Sequence, residues 1–175
     1  SFEDGARTAL LMGRPLPEDR PARTAIVILN YENCDDSARL IASLYAGTDT
    51  DFDIFLVDNA SPSVTLHELR QRFADCHILA LPENLGYAAG NNAALQLIRD
   101  LGHRYTLILN PDLVAPPDGL AALVEAADAH AGPAVFAPAL LRGGGSGRVT
   151  APMHGLLLEV RVAAGDTVET GQTLA

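Results

Sequence analysis

The chain has 175 residues, of which 48% are hydrophobic and 19% charged, and it carries a formal net charge of −10. This balance supports one globular core, and the acidic surplus excludes nucleic acid and anionic membrane surfaces as main partners, because like charges repel. All twelve basic residues are arginine, and the absence of lysine excludes Schiff-base chemistry, a P-loop lysine and an attached biotin or lipoate.

Residues 1–23 carry several prolines and mixed charges, a pattern that predicts an irregular arm. The next segment, TAIVILNYEN at 24–33, contains the unbroken apolar run of a strand that is buried on both faces. The elements predicted after it are, in chain order, a helix over 38–46, a strand over 53–61, a helix over 66–74, a strand over 77–81, a loop over 82–92, a helix over 93–102, a strand over 105–110, a helix over 120–130 and a strand over 134–141. Strands that alternate with helices predict an α/β domain over 24–142, with a doubly wound parallel sheet.

The composition changes at residue 143. Residues 143–148 are glycine-rich and predict a linker. Residues 149–175 alternate in hydrophobicity and contain a Gly-Asp turn at 165–166, which predicts a small all-β appendage. Such a fragment has open edges, so it could pair with a second copy in a homo-oligomer, dock on the main domain or stay disordered.

Polar residues follow three of the predicted strands, and ligands of open parallel sheets bind beyond the carboxyl ends of strands. The three groups are Asn30-Tyr31-Glu32, Asp58-Asn59-Ala60-Ser61 and Asn110-Pro111-Asp112. A single residue of this kind is more often a helix cap or a turn residue. Three groups together with a glycine loop favour a binding site.

The chemistry of these residues suits a pyrimidine nucleotide. The Asp58 carboxylate can accept the imide N–H of uracil or thymine. Gly86 and Gly90 would let backbone amides approach a diphosphate, to which Asn84, Asn91 and Asn92 would add uncharged donors. The alternative for this segment is a plain loop with a helix cap.

Four segments, AIVILNYEN, FLVDNAS, ENLGYAAGNNAAL and YTLILNPD, resemble in order and spacing the nucleotide-binding half of the family 2 glycosyltransferases, especially their rhamnosyltransferase-like branch. The resemblance covers about residues 24–141. It implies a GT-A (Rossmann-like) half-domain that binds a UDP- or dTDP-linked sugar, derived from an inverting enzyme of polysaccharide or glycolipid synthesis. In it, Asn30, Tyr31 and Glu32 would line the nucleotide pocket, and Asp58 would bind the base beside Asn59.

Asn110-Pro111-Asp112 stands where this family carries its D-x-D metal motif, with Asn in place of the first acid. The resemblance therefore implies that Asp112 is the one charged ligand of Mg²⁺ or Mn²⁺, with substrate phosphates supplying further oxygens. An aspartate that stabilises a turn is the alternative. The segments that carry the family's general base and acceptor wall have no counterpart in this chain, so no catalytic base is assigned and turnover stays open.

A second resemblance concerns the end of the chain. APMHG and GDTVETGQ, within 149–175, resemble the first half of a biotinyl or lipoyl carrier domain, without its modified lysine. The two resemblances suggest a chimeric, truncated or engineered chain. The rival function is therefore a non-enzymatic module, either a carrier fragment or an assembly scaffold. A dinucleotide oxidoreductase is disfavoured, because no G-x-G-x-x-G follows the first strand.

The cysteines, the histidines and the apolar segments give weaker indications of setting and function. Cys34 and Cys76 form no C-x-x-C motif, which favours a reduced, cytoplasmic setting. The five histidines show no metal-ligand spacing and are expected at the surface or in packing. No apolar run reaches the length of a membrane span, and no basic head precedes an apolar leader, so neither a span nor a signal peptide is predicted.

Overall fold

A computed structural model describes residues 9–17, 21–132, 134–136 and 156–158. The elements within these ranges are, in chain order, β1 (Leu10–Gly13), β2 (Thr24–Asn30), α1 (Cys34–Tyr45), β3 (Phe52–Asp58), α2 (Leu66–Arg72), β4 (His77–Ala80), α3 (Gly86–Ile98), β5 (Tyr105–Leu109), α4 (Gly119–Asp128), β6 (Val135–Phe136) and β7 (Leu156–Leu158). None of the described helices combines the length and the apolar character needed to cross a membrane.

The strands form one sheet in the order β1-β4-β3-β2-β5-β7-β6. The four central strands, β4, β3, β2 and β5, are parallel. β1 pairs antiparallel with β4, and β7 pairs antiparallel with both β5 and β6. The predicted α/β fold with a mainly parallel sheet is confirmed, with antiparallel strands added on both sides of the parallel centre.

The two central strands, β2 and β3, are buried along their whole length. Successive side chains of a strand point to opposite faces, so an apolar layer is needed on each side. Ile26 and Ile28 belong to a core that includes residues of α1 and α4, whereas Val27 and Leu29 pack in a second core with residues of α3. The uninterrupted apolar run in the sequence follows from this two-sided burial.

Helix α3 begins earlier than the sequence predicted. Residues 82–92 were expected to form a loop, but the helix already begins at Gly86. Two features explain the difference. Gly86 has φ +77°, which lets the chain turn sharply into the helix, and Gly90 lacks a side chain where a Cβ would lie 2.7 Å from Leu29 Cδ1, so the first turns can pack closely on β2.

Two further segments differ from expectation. The arm over 1–23 contains strand β1, which pairs with β4 from Leu10–Ala80 to Gly13–His77. Leu156–Leu158, expected in a separate appendage, instead pairs with Thr106–Ile108 in the main sheet. The remainder of 149–175, the linker 143–148 and most of the strand predicted over 134–141 lie outside the described residues, and their domain boundaries stay predictions.

A buried polar cluster lies at the amino end of the sheet, around Asp53 of β3. The Asp53 carboxylate accepts the Ala22 N–H at 3.0 Å, lies 3.1 Å from His103 Nε2 and forms a 3.0 Å ion pair with Arg14. The His77 ring is 3.7 Å away, too far for a hydrogen bond. Burial alone would raise the pKa of Asp53, but the bonds from Ala22 and His103 and the Arg14 charge lower it below its ordinary value.

We expect the His103 ring to make stability depend on pH. Burial lowers the pKa of His103, and its bond to Asp53 only partly opposes this effect. The unfolded chain therefore takes up a proton near the ordinary pKa of about 6.5, whereas the folded chain does so only at lower pH. The free energy of unfolding should fall as pH decreases from about 7.5 to 5.5.

Urea unfolding across this pH range measures the effect. His103→Gln keeps an N–H donor for Asp53 but cannot titrate, so its stability should fall less over the same range. His67→Gln, at an exposed position of α2, is the matched control and should behave like the unsubstituted chain. Equal pH dependence in the His103 variant and the unsubstituted chain would contradict the assignment.

Candidate functional site

The parallel register brings the carboxyl ends of β2, β3 and β5 together. Asn30 pairs with Asp58, and Ile28 pairs with Leu109, so Asn110 follows β5 beside the end of β2. The backbone continues this alignment past the strand ends, because the Asn59 N–H donates to the Asn30 carbonyl at 2.9 Å. The convergence predicted from the sequence is therefore present at this carboxyl edge.

The Ser61 hydroxyl is the centre of a hydrogen-bond network at this edge. It donates to Asp58 Oδ1 at 2.6 Å and accepts the Asn30 side-chain amide at 3.3 Å and the Glu32 backbone N–H at 2.9 Å. A hydroxyl offers one donor and two acceptor positions, so all of its capacity is used. Ser61 thus ties the ends of β2 and β3 to each other.

Asn30 and Asp58 lie inside this network and not on the surface of the edge. Asn30 is completely buried; its amide also donates to Asp58 at 3.0 Å, and its oxygen accepts the Ser37 hydroxyl at 3.0 Å. Asp58 is 4% exposed and accepts, in addition, the Ser61 N–H on Oδ2 at 3.2 Å. A carboxylate has about four acceptor positions, so one position on Oδ2 has no partner among the hydrogen bonds of the described residues.

Two strained residues flank Ser61. Glu32 and Ala60 have φ values of 58° and 60°, and they are the only non-glycine residues with positive φ in the described part of the chain. The Glu32 carboxylate accepts both the backbone N–H of Ser63, at 2.8 Å, and the Ser63 hydroxyl, and these bonds lower the pKa of Glu32. Strained backbone of this kind concentrates at functional sites. Tyr31, between Asn30 and Glu32, is exposed.

Asn59 connects the end of β3 to the start of α3. Its oxygen accepts the Leu85 N–H at 2.9 Å, and its amide donates to Asn84 Oδ1 at 2.8 Å. Asn84 Oδ1 also accepts the Gly86 N–H at 2.9 Å. Asn59 is buried and Asn84 is exposed. Asn59 therefore fixes the turn from the protein interior, and Asn84 fixes it from the solvent side.

Gly90 and Asn91 lie in α3 and not in the loop that was expected there. Gly90 lets the helix approach Leu29 and Asn59, which accounts for glycine by packing alone. Asn91 is 3% exposed and donates to the Tyr87 carbonyl at 2.9 Å, while its Oδ1 is buried without a hydrogen-bond partner. A buried polar atom without a partner is unusual in a folded protein, and a ligand or a water can satisfy it.

The turn after β5 holds the predicted metal ligand. Asp112 is exposed, and the turn is closed by a bond from the Leu113 N–H to the Asn110 carbonyl at 3.3 Å. The Asn110 side-chain oxygen accepts the Tyr87 hydroxyl at 3.1 Å. No group of three His, Cys, Asp or Glu residues suited to a metal occurs in the described ranges. The Asp112 carboxylate is therefore an exposed group on a turn that a backbone hydrogen bond closes.

Sequence reasoning missed the residues that organise the edge. Ser61 and Ser63 were not assigned a role, although Asp58 and Ser61 have the spacing at which short polar side chains bond to nearby backbone. Ser37 and Tyr87 were missed because their partners, Asn30 and Asn110, are set by the fold. No local pattern signals such contacts.

The chain is similar in sequence to known proteins. A family model described as Glycosyl transferase family 2 matches residues 25–162. The N-acetylglucosaminyl-diphospho-decaprenol L-rhamnosyltransferase of Mycobacterium tuberculosis is 27% identical over 110 residues, which cover 58% of this chain and 36% of that protein. The chain therefore spans about a third of the length of this relative.

Solved structures show the same fold. TarS 1-349 of S. aureus superposes with a TM-score of 0.59 at 19% identity, covering 75% of this chain and 38% of that one. The mannosyltransferase PcManGT from Pyrobaculum calidifontis, in complex with GDP-Man and Mn²⁺, gives 0.52 at 21% identity, covering 65% and 34%. The TarS 1-349 complex with UDP-GlcNAc gives 0.52 at 19% identity, covering 62% and 32%.

The network predicts that Asp58 is needed for stability. Asp58→Asn replaces one acceptor oxygen by an N–H₂ group that must face donors from Asn30 or Ser61, so we expect a loss of roughly 1–3 kcal/mol in the free energy of unfolding. Urea unfolding measures it. Asp112→Asn is the control on the same edge and should change stability by less than about 0.5 kcal/mol. Equal stability of the two variants would show that the Asp58 bonds do not hold the edge.

Proposed function

Because the chain belongs to glycosyltransferase family 2, we propose that its carboxyl edge binds the nucleotide part of a sugar donor, a UDP- or dTDP-linked sugar, together with a divalent metal ion. The observation that carries this proposal is the convergence of three strand ends, two strained residues and the start of α3 at one edge. In open α/β sheets this is the edge at which ligands bind.

A pyrimidine base could donate its imide N–H to the remaining acceptor position on Asp58 Oδ2. The free position on Asp58 Oδ2 can accept one N–H, and the imide of uracil or thymine supplies one. Tyr31 is exposed next to Asn30 and offers an aromatic face to a base. Of the solved relatives, one is in complex with UDP-GlcNAc and another with GDP-Man, so the choice of base is a separate point for experiment.

The diphosphate is assigned to the start of α3. The first amides of a helix lack partners within the helix, and the helix dipole favours an anion there. Asn59 and Asn84 accept the N–H groups of Leu85 and Gly86 and so fix the turn that leads into the helix. The amides that we propose for the diphosphate are those that follow Gly86 in the first turn of α3. Gly86 leaves space, because a Cβ there would meet nothing within 4 Å. Asn91 supports this start from within, through its bond to the Tyr87 carbonyl.

The metal is assigned to Asp112 in the turn after β5. A carboxylate oxygen is the type of donor that Mg²⁺ and Mn²⁺ prefer, and these ions accept a single protein carboxylate when phosphates and waters complete the shell. When bound, the ion would stabilise the negative charge of a departing diphosphate as a Lewis acid. The solved complex of PcManGT with GDP-Man and Mn²⁺ supports this pairing of donor and metal.

We propose a role for this chain only in binding the sugar donor. The curated relative is named an L-rhamnosyltransferase, which makes an L-rhamnosyl nucleotide the sugar donor to test first. Because the chain spans about a third of that relative's length, acceptor binding and the general base are not assigned to its residues. With no lysine in the sequence, covalent biotin or lipoate forms no part of the proposed function.

Calorimetric titration tests the site. UDP and dTDP should bind more tightly with Mn²⁺ than without it, and Asp112→Ala should remove most of that gain, roughly tenfold or more in affinity, since it deletes the charged ligand. Asp75→Ala removes an exposed acid near the opposite edge and should leave the gain unchanged. GDP serves as the base comparison and should bind less tightly than UDP.

Two results would contradict the proposal. If none of the three nucleotides binds, the chain shares the fold of the family but not its nucleotide site. Binding that is equal in Asp112→Ala and in the unsubstituted chain, with and without Mn²⁺, would remove the metal assignment and leave only a nucleotide site.

A further inference from the structure

Tyr87 links the two loops to which the diphosphate and the metal are assigned. It is the second residue of α3, and its side chain is 56% exposed. Its hydroxyl donates to the Asn110 side-chain oxygen at 3.1 Å, across 23 positions of sequence. The bond therefore connects the first turn of α3 with the turn that follows β5.

A hydrogen bond from the buried side of α3 fixes the backbone at Tyr87. The buried Asn91 amide donates to the Tyr87 carbonyl at 2.9 Å, one helical turn further on. Gly90, next to Asn91, packs against Leu29 of β2. The ring thus projects from a helical turn whose backbone is held, and the bond to Asn110 sets the position of its hydroxyl.

Asn110 belongs to the same turn as Asp112. The Leu113 N–H donates to the Asn110 carbonyl at 3.3 Å, which closes this turn around Pro111 and Asp112. A hydrogen bond that fixes the Asn110 side chain therefore restricts the turn that carries the carboxylate. A tyrosine hydroxyl has an ordinary pKa of about 10 and is a donor at neutral pH, and partial burial raises the pKa of Tyr87 further.

We propose that Tyr87 is a positioning residue that couples metal binding at Asp112 to diphosphate binding at the start of α3. The inference rests on the proposed function. The hydroxyl holds the turn after β5 in a fixed relation to the helix start, so a metal held by Asp112 would lie close to the phosphates bound there. Pre-organised groups bind more tightly because less freedom is lost on binding. Tyr87 affects the Mn²⁺-dependent part of the affinity and not the metal-free part.

The test is calorimetric titration of the full chain with UDP, and in parallel with dTDP, with and without Mn²⁺. The quantity compared is the ratio of the two dissociation constants, without metal over with metal. Tyr87→Phe removes only the hydroxyl. We expect this ratio to fall about 3- to 10-fold, the range for loss of one neutral hydrogen bond, with metal-free affinity unchanged within about twofold.

Tyr45→Phe is the matched control, because Tyr45 is also exposed but lies at the far end of α1 and packs on Phe52. Its ratio should equal that of the unsubstituted chain. Asn110→Ala, alone and combined with Tyr87→Phe, completes a double-mutant cycle. Once Asn110 is truncated, removing the Tyr87 hydroxyl should have no further effect on the ratio.

The outcomes separate this inference from the proposed function. An unchanged ratio in Tyr87→Phe, while the unsubstituted chain responds to Mn²⁺, overturns the coupling role and leaves the proposed site intact. Equal loss of affinity with and without metal also overturns it, since Tyr87 would then be a simple ligand contact. If the unsubstituted chain binds neither nucleotide, the proposed function fails, and the coupling inference fails with it.

Discussion

The buried Asp58 carboxylate is the constraint on which the carboxyl edge depends. β2 and β3 are covered on both faces by apolar side chains, so polar groups can enter only where the strands end. A buried charge must be surrounded by donors, because desolvation without compensation is costly. Asn30 and Ser61 provide those donors. The same Ser61 hydroxyl accepts the Glu32 N–H, which supports the strained backbone at that residue.

This constraint divides the edge into an inner and an outer set of residues. The inner residues, Asn30, Asp58 and Asn59, are buried and hydrogen-bond to neighbouring protein groups. Exposed residues at the edge include Tyr31, Glu32, Asn84, Tyr87 and Asp112. Site residues held by packed neighbours keep a precise geometry. The inner set therefore gives a rigid base to the exposed residues, and Asp58 is the inner residue that we propose contacts the donor.

The sequence predicted the fold and the convergence of polar residues at one edge better than the contacts of each residue. Apolar runs and their spacing were sufficient for the α/β sheet, because a two-sided core demands such runs. Convergence at one edge followed from the parallel strands. The inward position of Asp58 could not be predicted, since it depends on partners up to 28 positions away. Strand β7 was missed for a similar reason, because 156–158 pairs with a strand about fifty positions earlier.

The most direct test of the central claim is amide chemical-shift mapping of the ¹⁵N-labelled chain during titration with UDP and Mn²⁺. We expect shifts that cluster at the carboxyl edge, in residues 30–32, 58–61, 84–91 and 110–112, with little change around Asp53 at the opposite end of the sheet. Shifts centred on the Asp53 cluster, or spread evenly over the surface, would contradict the claim that this edge binds the sugar donor.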